Sequence, residues 1–396
     1  MFENIIGQTH VTERVTQEVR AGILPPVLLF HGPDYSGKCS TALELARVLT
    51  CSGDERSVPW KCSCRDCEMQ RHLTHPDTLM LGGRYFNREI AVAVSAMKRD
   101  PRPSIRFLLE RSVRKLVRRF DPPLWPTDDA RIRKVEPLLE QLDEHFSPYL
   151  PDADLPPSDQ MASGLDHVAD LCDRIAAAAN LDAVPIDVIR RLSAWTHVAA
   201  RGRAKVALVE RVDRLGESAR NALLKTLEEP PDGVTFVLTT TRRGAVIETI
   251  LSRSRSYAFH SRGVAESREV ITRVFQDGPR ESASIRDYFV SVDGRGLRPL
   301  AERYIESCLS NGDLELGLLD EIDRTVRTAG GEGFRYFVEE LTDLLRGVLH
   351  EPNVLPLRTL SRWSDLVDET AVRVEAYRVQ PKLALEGLYY AMRLSA

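Results

Sequence analysis

The chain has 396 residues, 43% hydrophobic and 28% charged, with a formal net charge of −4 at pH 7. This is an ordinary globular composition, with room for two or three domains. The overall charge gives no reason to expect tight DNA binding, so any such contact needs a local basic patch. No apolar run approaches the roughly 18 residues of a membrane span. Residues 1–10 lack the basic start and apolar stretch of a signal peptide, and we therefore expect a cytoplasmic protein.

A buried strand, a glycine-rich turn and a helix follow one another early in the chain. The apolar run Pro26–His31 predicts the strand, and apolar residues at helical spacing in Ser40–Leu49 predict the helix. Between them, residues 32–39 read GPDYSGKC, which fits the phosphate-loop pattern G-x-x-x-x-G-K-[ST] except at its last position. The pattern and its setting predict a P-loop fold.

The residues of this loop have distinct expected roles. Gly32 and Gly37 let backbone amides curl around phosphates at a helix N-terminus, and Lys38 reaches the β- and γ-phosphates. The last position normally offers a hydroxyl to Mg²⁺, but Cys39 offers a soft thiol, a poor ligand for a hard ion. Ser40 lies about 100° further around the helix, so we do not expect it to substitute directly. Two alternatives stay open: the loop binds ATP/Mg²⁺ weakly, or it is kept only as a structural turn.

Four of the seven cysteines crowd into one segment after this helix: Cys51, Cys62, Cys64 and Cys67. In a cytosolic protein such crowding indicates a metal rather than disulfides. Four thiolates are the number that a closed structural Zn²⁺ site requires. The alternative is a set of free, reduced thiols on a loop, prone to oxidation. We expect a structural zinc.

Residues from about 81 to 183, which we call the insertion, are rich in arginine and proline. Within them Ser104–Phe120 predicts an amphipathic helix. Its basic side chains could contact DNA phosphates, although such a helix more often packs its apolar face and solvates its charges. A docking surface is a third alternative. The apolar face comprises Ile105, Leu108, Leu109, Val113, Leu116, Val117 and Phe120, and the basic residues are Arg106, Arg111, Arg114, Lys115, Arg118 and Arg119.

The second half of the chain returns to alternating elements. Lys205–Val209 and Val234–Leu238 predict buried strands, and Glu217–Leu227 between them predicts a helix that a double proline ends. Strands that alternate with helices are typical of a parallel α/β sheet. From about Gly263 onward the chain predicts mostly helix.

The two residues that follow Lys205–Val209, Glu210 and Arg211, carry a second departure from the pattern of an active ATPase. In P-loop ATPases of this kind the strand ends in Asp-Glu, where Asp orders Mg²⁺ and Glu polarises the attacking water. Glu210 could reach Mg²⁺ through its longer side chain, but Arg211 cannot accept a proton because its pKa is above ~12. Asp213 lies past the strand end and is a weak replacement base. Because Cys39 and Arg211 impair the same chemistry, we expect no useful ATP turnover.

A resemblance to a known family rests on Asn221–Pro231, NALLKTLEEPP. It resembles the signature of the AAA+ subunits of bacterial DNA polymerase III clamp loaders, gamma/tau and delta-prime. The resemblance covers roughly residues 1–80 and 184–300. Other matches, in the family's order, are Ile6-Gly7-Gln8, His75-Pro76-Asp77, Thr239-Thr240-Thr241, LSRS at Leu251–Ser254 for the family's LSRC, and GRGLRPL at Gly294–Leu300 for the sensor-2 pattern G-x-x-x-R-A-L.

The resemblance implies an architecture and further site residues. Thr240 and Arg298 are implied to face nucleotide. The family's cysteine spacing is C-x₈-C-x₂-C-x₂-C, from which this chain departs in two gaps. The implied parts are a RecA-like AAA+ P-loop domain at 1–262, with the zinc module at 51–67 and the insertion at about 81–183, a helical lid at 263–311, and an all-α collar domain for oligomerisation at 312–396.

The resemblance also implies that Arg253 projects into the ATP site of a neighbouring subunit. There its guanidinium would neutralise charge on the γ-phosphate. The alternative is a structural arginine beside a strand end.

The defects at Cys39 and Arg211, together with the implied role of Arg253, favour a delta-prime-type subunit that acts as a non-hydrolysing stator of the complex. Its partners would be gamma/tau-type and delta-type subunits in a hetero-oligomer, with the sliding clamp contacted indirectly and primer-template DNA bound in the complex. The alternatives are an active gamma/tau-type ATPase that tolerates Cys39 and uses Glu210, and a scaffold AAA+ module unrelated to replication.

Overall fold

The computed structural model falls into two compact units, Met1–Asp293 and Gly294–Ala396. The three-part division implied by the resemblance stays a prediction. In the part of the chain that the structure describes, none of the helices combines the length and apolar character needed to cross a membrane. The described residues are 1–53, 58–84, 86–179, 181, 184–278, 284–293, 296–309, 316–328, 333–348, 356–377 and 379–395.

A parallel sheet lies at the centre of the N-terminal unit. Among the described residues its strands are β1 (Val27–His31), β2 (Thr78–Leu81), β3 (Lys205–Val209), β4 (Val234–Thr240) and β5 (Arg255–Ala258). They lie in the order β2-β3-β4-β1-β5, and all neighbouring pairs are parallel. The predicted strands and the parallel α/β sheet are confirmed. The sequence analysis did not predict β2 and β5, each of four residues.

The register of the sheet gathers the candidate residues at one edge. Leu81 pairs with Val209, and His31 pairs with Thr240. The phosphate loop, Glu210 and Thr240 therefore all lie at the carboxyl ends of their strands. In parallel sheets this is the edge at which ligands bind.

The helices of the N-terminal unit cover the sheet, and the predicted helix after the phosphate loop is confirmed. It begins at Lys38, two residues earlier than predicted. The helices are α1 (Thr9–Ala21), α2 (Lys38–Thr50), α3 (Arg65–Arg71), α4 (Phe86–Arg99), α5 (Pro103–Val117), α6 (Ala130–Phe146), α7 (Ser158–Ala179), α8 (Ile186–His197), α9 (Glu217–Glu228), α10 (Glu248–Arg253), α11 (Val264–Arg273) and α12 (Ile285–Asp293).

Alternation along the strands gives the sheet two apolar faces. In β1, Val27 and Leu29 belong to one core cluster, and Leu28 and Phe30 to the other. The first cluster also takes in the apolar residues of α5, so the predicted apolar face is confirmed. A 3₁₀ turn at Arg118–Phe120 continues α5. The insertion thus packs into the core of the N-terminal unit.

The basic side chains of α5 contradict the expectation that they are solvated. Arg106 donates to the carbonyl oxygens of Leu150 and Ala153, and Arg118 donates to those of His75 (3.0 Å) and Thr78. The physical reason is that α5 is enclosed by other elements on several faces, so its charged residues must find partners within the protein. This leaves little of the basic surface free for DNA phosphates.

The C-terminal unit is helical in its described residues, as the sequence predicted. Trp363 is fully buried and donates to the carbonyl oxygen of Met392 at 2.9 Å. Tyr304 donates to that of Leu385 at 2.6 Å. The helices are α13 (Leu297–Leu309), α14 (Leu316–Thr328), α15 (Gly333–Val348), α16 (Leu357–Tyr377) and α17 (Pro381–Leu394).

Candidate functional site

Two glycines shape the phosphate loop. Gly32 has φ 145°, and a Cβ atom there would lie 2.1 Å from the carbonyl oxygen of Phe259. Gly37 has φ 98° and precedes the first turn of α2. Side chains are strained at both positions, because positive φ is open mainly to glycine. The loop therefore keeps the backbone form that phosphate binding needs.

Lys38 is bound to the loop itself. Its Nζ atom donates to the carbonyl oxygens of Gly32 (2.7 Å) and Pro33 (2.5 Å), and lies 3.4 Å from Ser36 Oγ. Burial lowers the pKa of Lys38 to about 8. A phosphate group would have to displace these contacts to reach the ammonium.

Cys39 and Ser40 differ in their surroundings. Cys39 is buried and belongs to the core cluster beneath α2, and burial raises the pKa of its thiol. The neutral thiol that results is a poor Mg²⁺ ligand. Ser40 is exposed and lines a small cavity beside the phosphate loop.

Glu210, directly after β3, is buried between two arginines. Its Oε2 accepts from Arg119 Nη2, and its Oε1 lies 3.7 Å from Arg84 Nη1. Burial alone would raise the pKa of Glu210, but the two guanidinium groups outweigh it and hold the pKa below its usual value. Arg119 was not predicted as a site residue, since nothing in the local sequence ties it to Glu210.

The residues after Glu210 leave no obvious base. Arg211 occupies the next position, with φ 52°. The Asp213 side chain is 1% exposed and accepts from Thr240 Oγ1 at 2.7 Å and Arg242 Nε at 3.4 Å. Both carboxylate oxygens of Asp213 therefore accept hydrogen bonds from neighbouring side chains, and its weakness as a replacement base stays a prediction.

Two adjoining cavities lie beside the loop. The smaller, of about 40 Å³, is lined by the loop, Glu210, Arg211 and Thr240. The larger, of about 420 Å³, lies among α2, α5, α11 and α12. With a thiol for the hydroxyl, a paired carboxylate and a lysine bound to its own loop, these residues as arranged do not fit a Mg²⁺-bound nucleotide.

Arg253 ends α10 at the protein surface. Its side chain is 33% exposed and donates to Glu228 Oε1 at 2.7 Å and to the carbonyl oxygen of Thr249 at 3.0 Å. Exposed ion pairs of this kind contribute about 0–1 kcal/mol. The guanidinium can therefore exchange Glu228 for another anion at small cost.

Arg298 lies in the C-terminal unit. It pairs there with Glu302 at 3.1 Å and Glu340 at 3.5 Å. Its implied contact with nucleotide stays a prediction.

The four clustered cysteines meet in space. Their Sγ atoms all lie within 4.8 Å of one another, and Cys51 is 3.8 Å from both Cys62 and Cys64. A zinc tetrahedron with Zn–S bonds of about 2.3 Å has S···S edges of about 3.8 Å. The thiols therefore fit a four-thiolate zinc site, and the short Cys62-x-Cys64 gap does not prevent it.

Hydrogen-bond donors surround the sulfur atoms of this cluster. Arg47 Nη1 lies 3.1 Å from Cys67 Sγ, and the Cys67 amide donates to Cys64 Sγ at 3.4 Å. Burial raises the pKa of Cys64, but hydrogen bonds from Cys67 and Ser52 outweigh it and bring that pKa to about 6. Such donors orient and stabilise metal-bound thiolates. Arg47 was not predicted as a site residue, and the signal that could have found it is a basic residue one turn before Cys51.

Comparison with known families fits this arrangement. Residues 7–105 and 161–262, about half of the chain, match the sequence model of the family described as DNA polymerase III, delta subunit. The chain belongs to this family. It is thus a member of the clamp-loader AAA+ proteins of DNA polymerase III, as the motifs predicted. The match extends into both ends of the insertion, at residues 81–105 and 161–183, where no resemblance was predicted. The segment between the matched parts, residues 106–160, holds most of α5 and all of α6.

Curated relatives of the family include two subunit types. DNA polymerase III subunit tau of Escherichia coli (strain K12) is 34% identical over 119 residues, 28% of this chain and 18% of that protein. Subunit delta' of Pseudomonas aeruginosa is 33% identical over 100 residues, 25% of this chain and 30% of that protein. The chain spans about a fifth to a third of the length of these relatives.

A slight similarity to a solved structure is also found. A gamma subunit-related protein from Thermotoga maritima matches 54% of this chain and 80% of its own, at 21% identity and a TM-score of 0.32. That likeness is too slight to carry an argument.

Proposed function

We propose that this chain is a delta-prime-type subunit of the clamp loader, which does not hydrolyse ATP and supplies Arg253 to a neighbour's site. The observation that carries the proposal is the end of β3. There Glu210 is paired with arginines, and Arg211, a residue that cannot act as a base, occupies the position of the water-activating carboxylate. The buried Cys39 thiol adds an independent defect.

Its work would therefore be done through partners. The partners proposed are gamma/tau-type and delta-type subunits in a hetero-oligomer that places a sliding clamp on primer-template DNA. Arg253 supports this role because it is accessible and is held by a surface ion pair and a hydrogen bond within its own helix. In a neighbour's site its guanidinium would meet the charge that develops on the γ-phosphate.

One observation favours a second candidate, an active gamma/tau-type ATPase. Subunit tau of Escherichia coli is among the relatives, and this chain keeps Lys38 and both loop glycines. In that case Lys38 would release the loop carbonyls and bind phosphate.

Steady-state ATPase assays on the isolated, zinc-loaded chain separate the two candidates. We expect no turnover above that of Lys38→Ala, because the site lacks a base and a metal-binding hydroxyl. The Lys38→Ala variant controls for contaminating ATPases. Turnover that the wild-type chain shows and Lys38→Ala abolishes would establish the active ATPase instead.

We also propose that Cys51, Cys62, Cys64 and Cys67 hold one structural Zn²⁺ that fastens residues 58–67 to the end of α2. Zinc at such sites contributes directly to folding free energy, because the unfolded chain has no preformed site. The proposal rests on the S···S distances and the donors around Cys64 and Cys67.

Metal analysis tests the zinc proposal. We expect about one zinc per chain, lost in the double variant Cys64→Ser/Cys67→Ser together with a lower melting temperature. The control is Cys172→Ala, which alters a buried cysteine outside the cluster and should keep the metal. A folded wild-type chain purified without zinc, or zinc retained by the double variant, would refute the proposal.

A further inference from the structure

We propose that the insertion supplies the resident cation of the phosphate site: the guanidinium of Arg119 takes the place at Glu210 that a divalent metal ion would need, and so excludes the metal. The inference gives the insertion a function that the family does not imply. It rests on the proposed function only for assigning Glu210 to the metal position.

The guanidinium of Arg119 is fixed on every side. Its Nε donates to the carbonyl oxygen of Lys115 at 3.2 Å, Nη1 donates to that of Leu81 at 2.9 Å, and Nη2 donates to Glu210. Its Cζ atom lies over the ring of Phe86, 5.3 Å from the ring centre. The side chain is 0% exposed. Arg119 is therefore a built part of the site, since each of its three guanidinium nitrogens donates a hydrogen bond within the protein.

Its position is the ligand edge of the sheet. Leu81 ends β2, and Glu210 follows β3, the strand paired with β2. Arg119 therefore bridges the carboxyl ends of two adjacent strands. In parallel α/β sheets, bound ligands and their metals occupy this edge.

The charges around Glu210 are already compensated. Arg119 pairs with Glu210, Glu210 faces Arg84, Arg84 donates to Glu89 at 2.8 Å, and Glu89 accepts from Lys115. Three cations and two carboxylates thus alternate in a buried chain with a net charge of +1. A divalent ion at Glu210 would raise that charge to +3 without a new anion. Uncompensated charge of this kind is strongly unfavourable in a protein interior.

The insertion provides the cations on both ends of this chain. Arg119 and Lys115 lie in residues 106–160, which fall between the two family-matched segments, whereas Glu210, Arg84 and Glu89 lie within them. Lys115 of α5 and Arg119 of the turn after it therefore point inward toward the phosphate site. This accounts for the burial of these two basic residues.

Mn²⁺ binding, followed by electron paramagnetic resonance on the full zinc-loaded chain, tests the inference. All variants compared carry Cys39→Thr, which restores the metal-binding hydroxyl. The effect of Arg119 on metal binding can then be measured separately from that of Cys39. We expect the Cys39→Thr chain and its Glu210→Gln derivative to bind the same number of Mn²⁺ ions. Adding Arg119→Gln should create one further site, at least tenfold tighter than background, and Glu210→Gln should remove it again.

Two results would overturn the inference. The first is a Mn²⁺ ion bound by the Cys39→Thr chain and lost on Glu210→Gln, which shows that Arg119 does not exclude metal. The second is a folded Arg119→Gln variant that gains no site. Where that variant does not fold, the first comparison alone decides. Mn²⁺ at Glu210 without ATP turnover would refute this inference and leave the proposed non-hydrolysing role intact.

Discussion

We expect the replacement of Arg253 by alanine in an assembled clamp loader to lower ATP turnover at the neighbouring site by about 10³-fold or more. Arginines supplied in trans contribute about 10³–10⁵ in rate in the well-studied GTPases, because they neutralise transition-state charge. The total ATP turnover of the assembly should fall only by the fraction that this one site contributes. Single-turnover hydrolysis measured on the reconstituted complex gives the effect directly.

A neighbouring arginine provides the matched control for this experiment. Arg255 lies two residues further, is 44% exposed on its side chain and also forms an ion pair, with the buried Glu18 at 3.0 Å. Arg255→Ala should leave turnover within about twofold. Equal effects of Arg253→Ala and Arg255→Ala would indicate a structural role for both. Unchanged turnover in Arg253→Ala would exclude the arginine from the neighbour's site.

We expect the replacement of Arg119 by alanine to lower the free energy of unfolding of the N-terminal unit by about 3–5 kcal/mol. Removing one partner of a buried ion pair leaves the other charge uncompensated, and losses of this size follow. Urea denaturation monitored by circular dichroism measures the change. Because Glu210 is the charge left behind, adding Glu210→Gln to Arg119→Ala should recover part of the loss.

The control here is a surface pair of the same chemistry. Arg190 lies 3.1 Å from Asp187, and both side chains are largely exposed. Arg190→Ala should change stability by less than about 1 kcal/mol. A loss of that small size in Arg119→Ala would contradict the buried charge chain described above.

The phosphate loop and its flanking elements were predictable because their signals are local. The apolar run before Gly32 and the spacing after Lys38 lie within a few residues of the structures they predict. The conformations of Gly32 and Gly37 follow from the same motif. By contrast, β2 and β5 have four residues each, too few for a pattern to distinguish them from loop.

The surroundings of Glu210 were not predictable, because they depend on residues distant in sequence. Arg119 is 91 positions away from Glu210, and only the packing of α5 brings the two together. Helical periodicity identified the apolar face of α5 correctly. It could not show that the basic face was covered as well, since that depends on which other elements pack against it.

The cysteine cluster shows the same limit in another form. Four cysteines in one segment predicted a metal site, but the unusual gap between Cys62 and Cys64 did not predict how the four sulfur atoms are arranged. The fold solves this by letting Cys51, at the end of α2, lie at equal distances of 3.8 Å from both. Spacing rules describe common loops, and this loop is not among them.

We propose that the chain does not hydrolyse ATP at its own phosphate site and that Arg253 completes the site of a neighbouring subunit. Both parts are tested by comparing the ATP turnover of reconstituted loaders that carry either Lys38→Ala or Arg253→Ala in this subunit alone. We expect normal turnover with Lys38→Ala and the loss of one site's turnover with Arg253→Ala. The reverse pattern, a loss with Lys38→Ala and normal turnover with Arg253→Ala, would refute the proposal.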